Sequence, residues 1–154
     1  MNVRLAAGPF LAMATAIAMT PLTAVAQAAV GERAIQQLIH RSAMPEAEVR
    51  SLLANCDASQ LSINFCTWRD ALVAEVRLDD AWAAATSARL RGCKSRIDRR
   101  IADVKSRAES ACAAAAEREA AGGSIKPAVV AACRQDAYDR ARVRLERMKA
   151  CTAR

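Results

Sequence analysis

Six cysteines, Cys56, Cys66, Cys93, Cys112, Cys133 and Cys151, are the residues of this 154-residue chain best suited to chemistry. Two kinds of chemistry use such a set: a framework of disulfides, or a thiolate metal centre. Structural zinc asks for close-set ligands, and the chain has no C-x-x-C pair and a single histidine, His40. The even count in a small chain therefore reads as disulfides, which form and persist in an oxidising compartment. No enzyme is expected. With the cysteines paired, one histidine and no paired carboxylates around an obvious pocket, no nucleophile and base can be assigned. His40 is read as a surface residue of a helix, and neither a metal nor a cofactor is expected.

An oxidising compartment requires export, and the N-terminus has the pattern for it. One positive residue, Arg4, precedes an uncharged stretch from Leu5 to Met19, which runs through Pro21 into the small-residue site Ala24, Val25, Ala26. Residues 1–26 are read as a cleaved signal peptide, with cleavage after Ala26 or Ala28. No cysteine follows either site to take a lipid, so the mature protein is expected to be soluble, in the periplasm or secreted. Arg4 is the only charge before Glu32, so 23 basic and 16 acidic residues become 22 and 16 after cleavage, or +6. Hydrophobic residues make up 53% of the chain, but thirty-eight are alanine and aromatics are only 3%. Small side chains at this density suit closely packed helices and argue against a disordered chain or a β-sandwich. Nucleic acid is not an expected partner, because the four mature aromatics fit the core and none interleaves with the arginines as a stacking platform.

The cysteines must be positioned by helices. From Gln60 to Arg91 there is neither proline nor glycine, and Leu61, Phe65, Trp68, Leu72 and Val76 recur at helical spacing, with Trp82 and Leu90 continuing the stripe. Gly92 is read as a helix end. A second amphipathic run places Ile97, Ile101, Val104, Ala108, Ala111 and Ala115 on one face. Gly122, Gly123 and Ser124 break it, and Pro127 sits where the first turn of a third helix accepts a residue without a backbone donor. The third helix should reach about Met148 or beyond, with Val130, Cys133, Ala137, Ala141, Leu145 and Met148 facing in. Upstream, Glu32 to Arg41 and a segment opening at Pro45 predict short helices within residues 27–55 that pack on the main domain, residues 56–154. The fold class is all-α: a small disulfide-stapled bundle with an antiparallel helical hairpin around the Gly-Gly-Ser loop.

In such a hairpin Cys112 and Cys133 stand at nearly equal heights on either side of the turn. Cys93 lies nineteen positions before Cys112, and Cys151 eighteen after Cys133, so a second rung closes at a similar level. Cys93 fits better if it precedes the regular helix. This ladder favours Cys112 with Cys133 and Cys93 with Cys151, leaving Cys56 for Cys66. Spacing alone leaves the other pairings open.

The order Cys56, Cys66, an aromatic at Trp82, Cys112, Gly122, Gly123, Ser124, Pro127 and Cys133 resembles the lysozyme inhibitor LprI-like N-terminal domain family. The likeness covers about Cys56 to Met148 and is strongest from Glu109 to Leu145. The resemblance implies a helical domain in which a cysteine before the Gly-Gly-Ser loop is bonded to one after it. The family's tryptophan and Arg-Asp pair before Cys112 are replaced here by Val104, Ala108 and Glu109, and Cys93 and Cys151 are additions.

The resemblance implies a non-catalytic exported protein that binds a lysozyme or other muramidase. Gly122, Gly123 and Ser124 are the candidate contact loop. Gly122 is expected to end one helix, Gly123 to take positive φ, and Ser124 to cap the next through its hydroxyl. Glu75, Asp79 and Asp80 are a candidate acidic patch for a basic partner. The alternative expectation is a basic helical module that binds anionic cell-envelope polymer or lipid. It rests on Arg89, Arg91, Lys94, Arg96, Arg99 and Arg100, which the hairpin would bring to the same end as Arg140, Arg142, Arg144, Arg147 and Lys149.

Overall fold

The computed structural model describes residues 22–87 and 91–147, with side chains described for 24–86 and 94–147, and every regular element among them is a helix. The first, α1 (Leu22–Ser42), is longer than the expected Glu32 to Arg41 and starts ahead of Ala26. It buries Ala34 and Leu38 completely and half-buries Ile35 and Ile39, while His40 is exposed. It stops where the Ser42 hydroxyl donates to the Ile39 carbonyl at 3.2 Å and Ala43 turns to a φ of 54°. Pro45 then opens α2 (Glu46–Ala54), whose buried residue is Val49. Asn55 leaves the helix in an extended conformation, and its side-chain oxygen accepts from the Asp57 amide at 3.1 Å. The Ser59 hydroxyl caps the next helix by accepting from the Ser62 amide at 3.0 Å.

That helix, α3 (Gln60–Ser87), is the spine. A single inward stripe was expected, but α1, α2, α4 (Arg91–Ala120) and α5 (Lys126–Arg147) all pack on it. Its middle is therefore buried on several sides, at Ala71, Leu72, Ala74, Val76 and Leu78. Leu78 lies off the expected stripe and is fully buried. Leu61, expected inward, is 49% exposed, because the first turn of α3 borders an open recess against α5.

Gly92 does not end a helix: it lies in the first turn of α4, and Cys93 belongs to that helix instead of preceding it. Ile97 and Ala108 are buried as expected, but the buried line then passes through Cys112 and Ala116, leaving Ala111 exposed and Ala115 half-buried. Steps of four from Ala108 follow the side of α4 that faces α5. The helix α5 lies between α3 and α4 and buries Ala128, Ala131, Tyr138 and Leu145, with Val130, Cys133, Ala137 and Ala141 half-buried. Met148 and Leu90 lie outside the described residues.

Two clusters make the core. Ala34, Leu38, Val49, Phe65 and Leu72 join α1 and α2 to the first half of α3. Ala74, Leu78, Ile97, Ala108, Tyr138 and Leu145 join its second half to α4 and α5.

Candidate functional site

Helix α4 ends at Ala120 and α5 starts at Lys126, so the Gly-Gly-Ser segment is the turn of an antiparallel hairpin. The two disulfides seen among the described residues are those favoured by spacing. Cys56–Cys66 ties the α2–α3 connection to α3, and Cys112–Cys133 spans the hairpin with its Cα atoms 5.5 Å apart. The expected Cys93–Cys151 rung lies outside the described residues.

Within the turn, the division of labour differs from expectation. Positive φ falls at Gly122, at 75°, where a side chain would be strained although the space is open. Gly123 instead permits a close approach, since its amide donates to the Ala120 carbonyl and a Cβ there would stand 3.3 Å from that oxygen. Ser124 contributes its backbone carbonyl, which accepts from the Asn64 side-chain amide at 3.0 Å, instead of a capping hydroxyl. The loop is thus fixed to α3 as well as to the hairpin.

Beside it opens a recess of about 450 Å³ between α3 and α5, walled by Leu61, Phe65, Trp68, Pro127 and Val130. Two of the three large apolar side chains most exposed on the described surface are here or on the loop: Leu61 at 49% and Ile125 at 40%. The cations at its rim are neutralised, because Lys126 pairs with Glu117 and Arg134 with Glu109, both on α4.

The acidic residues of α3 form no free patch. Asp80 pairs with Arg33 of α1, and Glu75 accepts from Arg41 at 2.9 Å and from Lys105 of α4 at 3.0 Å. Lys105 also pairs with Asp79 at 2.8 Å. Burial pushes the Glu75 pKa up, but the Arg41 and Lys105 hydrogen bonds outweigh it and hold the carboxyl below its ordinary range. Burial likewise depresses Lys105, and its bonds to Asp79 and Glu75 more than restore it, to above the usual lysine value. These acids hold helices together.

The basic clusters divide as well. Lys94 pairs with Asp98 at 2.9 Å and lies 5.3 Å from the centre of the Trp82 ring, whose indole N–H donates to Asp98 at 2.8 Å. This set joins the end of α3 to the start of α4. Arg142 pairs with Glu146 and Asp139 along its own helix. Arg100, Arg140 and Arg144, with Arg107, instead line a groove of about 620 Å³ between α4 and α5. Arg107 stood outside the basic cluster expected from the sequence, although its seven-residue spacing from Arg100 puts both on one face of a helix. Arg89 and Lys149 lie outside the described residues, as does the side chain of Arg91.

Among the described residues no group of three His, Cys, Asp or Glu side chains is arranged to hold a metal ion. None of their helices is long and apolar enough to cross a membrane. The disulfides point to an oxidising environment outside the cytoplasm. No protein-family model, curated protein or solved structure matches this chain.

Proposed function

We propose that this is an exported, non-catalytic binding protein of the lysozyme-inhibitor type, which engages a muramidase in the periplasm or outside the cell through the loop end of its bundle. The observation that carries this reading is the Cys112–Cys133 bond bracketing the Gly122, Gly123, Ser124 turn, the feature that the family resemblance implies. A loop held by a disulfide and by Asn64 is ordered before it binds, so little entropy is lost on contact. Leu61 and Ile125 offer apolar anchors beside a recess able to take a partner's side chain.

Charge does not argue against a basic partner at this end. Acids on α4 neutralise Lys126 and Arg134, and Arg140 and Arg144 of the groove lie further along α5, toward the end remote from the loop. The test is inhibition of basic and acidic muramidases by the oxidised mature protein, at low and high salt. Inhibition is expected, with a loss of tenfold or more in a Leu61→Asp, Ile125→Asp double variant. Absence of inhibition across the panel overturns the reading.

A second reading, binding of anionic envelope polymer or lipid, is favoured by the arginine-lined groove. Retention on acidic vesicles or polyphosphate that disappears with added salt is its expected signature.

A further inference from the structure

The groove between α4 and α5 is more than a positive surface. No acidic residue lines it, and no residue of α3 does, so it opens on the side of the hairpin away from the spine. Its floor is apolar: Ile101, Val104 and Ala108 from α4 face Ala137 and Ala141 from α5. Ile101 and Val104 lie in the middle of a thirty-residue helix, yet both remain half-exposed, because the alanines opposite are too short to cover them. From Ile97 to Ala111 the floor runs fourteen residues along α4, or about 21 Å at a rise of about 1.5 Å per residue. Its volume of about 620 Å³ is within the usual range for small-molecule sites.

The arginines around it differ from the cations that tie one helix to another. Arg33, Arg41, Lys105, Lys126 and Arg134 each reach an acid on another helix. Arg107 and Arg140 reach only an acid one turn back on their own helices, at 3.3 and 3.4 Å, and Arg144 has no ion-pair partner among the described residues. Exposed pairs within one helix contribute little and leave the guanidinium available. A guanidinium presents forked donors that match phosphate oxygens, and several stand here along an apolar trough.

We propose that this groove binds a phosphate-headed amphiphile, with its apolar chain along Ile101, Val104 and Ala141 and its head held by Arg107, Arg140 and Arg144. This rests on the second reading above and adds to it that the chain contributes as much as the charge. The groove and the loop recess share no lining residue, the recess using α5 from Lys126 to Arg134 and the groove from Cys133 to Leu145, so the amphiphile site is separate from the proposed muramidase surface.

The test is calorimetric titration of the full oxidised protein with dodecyl phosphate below its micelle concentration, beside dodecyl maltoside, polyphosphate and inorganic phosphate. Saturable one-to-one binding of dodecyl phosphate is expected, at least tenfold tighter than any of the other three. An Arg140→Gln, Arg144→Gln double variant should weaken it at least tenfold while keeping the wild-type melting temperature and muramidase inhibition. Ala141→Trp, which fills the trough, should abolish it. Equal affinity for dodecyl maltoside, or unchanged binding in the arginine variant, overturns the proposal. Equal affinity for polyphosphate overturns it while leaving the anionic-ligand reading in place. Tighter binding of an acidic peptide that displaces dodecyl phosphate also overturns it. Loss of all anion binding by the wild-type protein removes both.

Discussion

Each half of this bundle carries a disulfide and ion pairs between helices, but the two differ in the bulk of the side chains they bury. Around α1, α2 and the first half of α3, bulky side chains meet: Leu38, Val49, Phe65 and Leu72, with Ile39, Met44, Leu52 and Trp68 packed against them. Around α4, α5 and the second half of α3, alanine dominates the partly buried layer, at positions 81, 85, 137 and 141. Alanine lets helix axes approach but removes little apolar area from water, so that half gains less from burial. There the disulfide, the Glu75–Lys105–Asp79 set and the Trp82–Asp98–Lys94 set supply ties that side-chain bulk does not. Short side chains also leave space, and the groove with its half-exposed floor is the result. The alanine-rich packing and the open site therefore have one physical origin.

The sharpest way to break this contrast is to truncate one apolar residue in each half. Leu38→Ala should cost about 2 to 5 kcal/mol in urea unfolding, because a fully buried leucine leaves a cavity. Ile101→Ala, in the half-open floor, should cost nearer 1 kcal/mol. Equal losses would mean that the two halves are packed alike. Next in size is the staple: replacing Cys112 and Cys133 together by serine should cost about 3 kcal/mol. Amide exchange should then accelerate in α4 much more than in α1 and α2.

Below the staple in expected size is the ionic tie. Glu75→Gln should cost about 1 to 3 kcal/mol at neutral pH, the range for a buried group that loses charged hydrogen-bond partners. Because the folded Glu75 pKa lies below the ordinary 4.5, its contribution is fully present above that value and is lost as pH falls through the folded pKa. The difference in melting temperature between wild type and variant should therefore close in acid. Lys105 has the opposite sign: its folded pKa is above the ordinary 10.5, so its contribution holds below that value and fades as pH rises through the folded one.

Much of the hairpin was legible because its signals are local. Apolar spacing without proline or glycine marked α3, Pro127 marked the start of α5, and equal distances from the turn paired Cys112 with Cys133. Cys56–Cys66 followed as the remaining short-range pair. Less legible was anything that depends on what lies opposite. Ala111 and Cys112 are equally plausible inward residues until the side of α4 that meets α5 is known. Leu61 continues the α3 stripe perfectly well, yet no helix covers that turn. Glu75, Asp79 and Asp80 form an acidic run in the sequence, and only the approach of Arg33, Arg41 and Lys105 from two other helices cancels it.

The sequence by itself determined that this is an all-α, disulfide-bonded chain, that a hairpin turns at Gly122 and Gly123, and that Cys112 and Cys133 stand at matching heights on either side of it. Those properties follow from backbone geometry and from distances counted along one chain. The tertiary structure alone decided which arginines are neutralised and which stand around a groove. It also decided which apolar residues the alanines fail to cover. Both depend on the separation and rotation of helices far apart in sequence, which periodicity along a single helix does not encode.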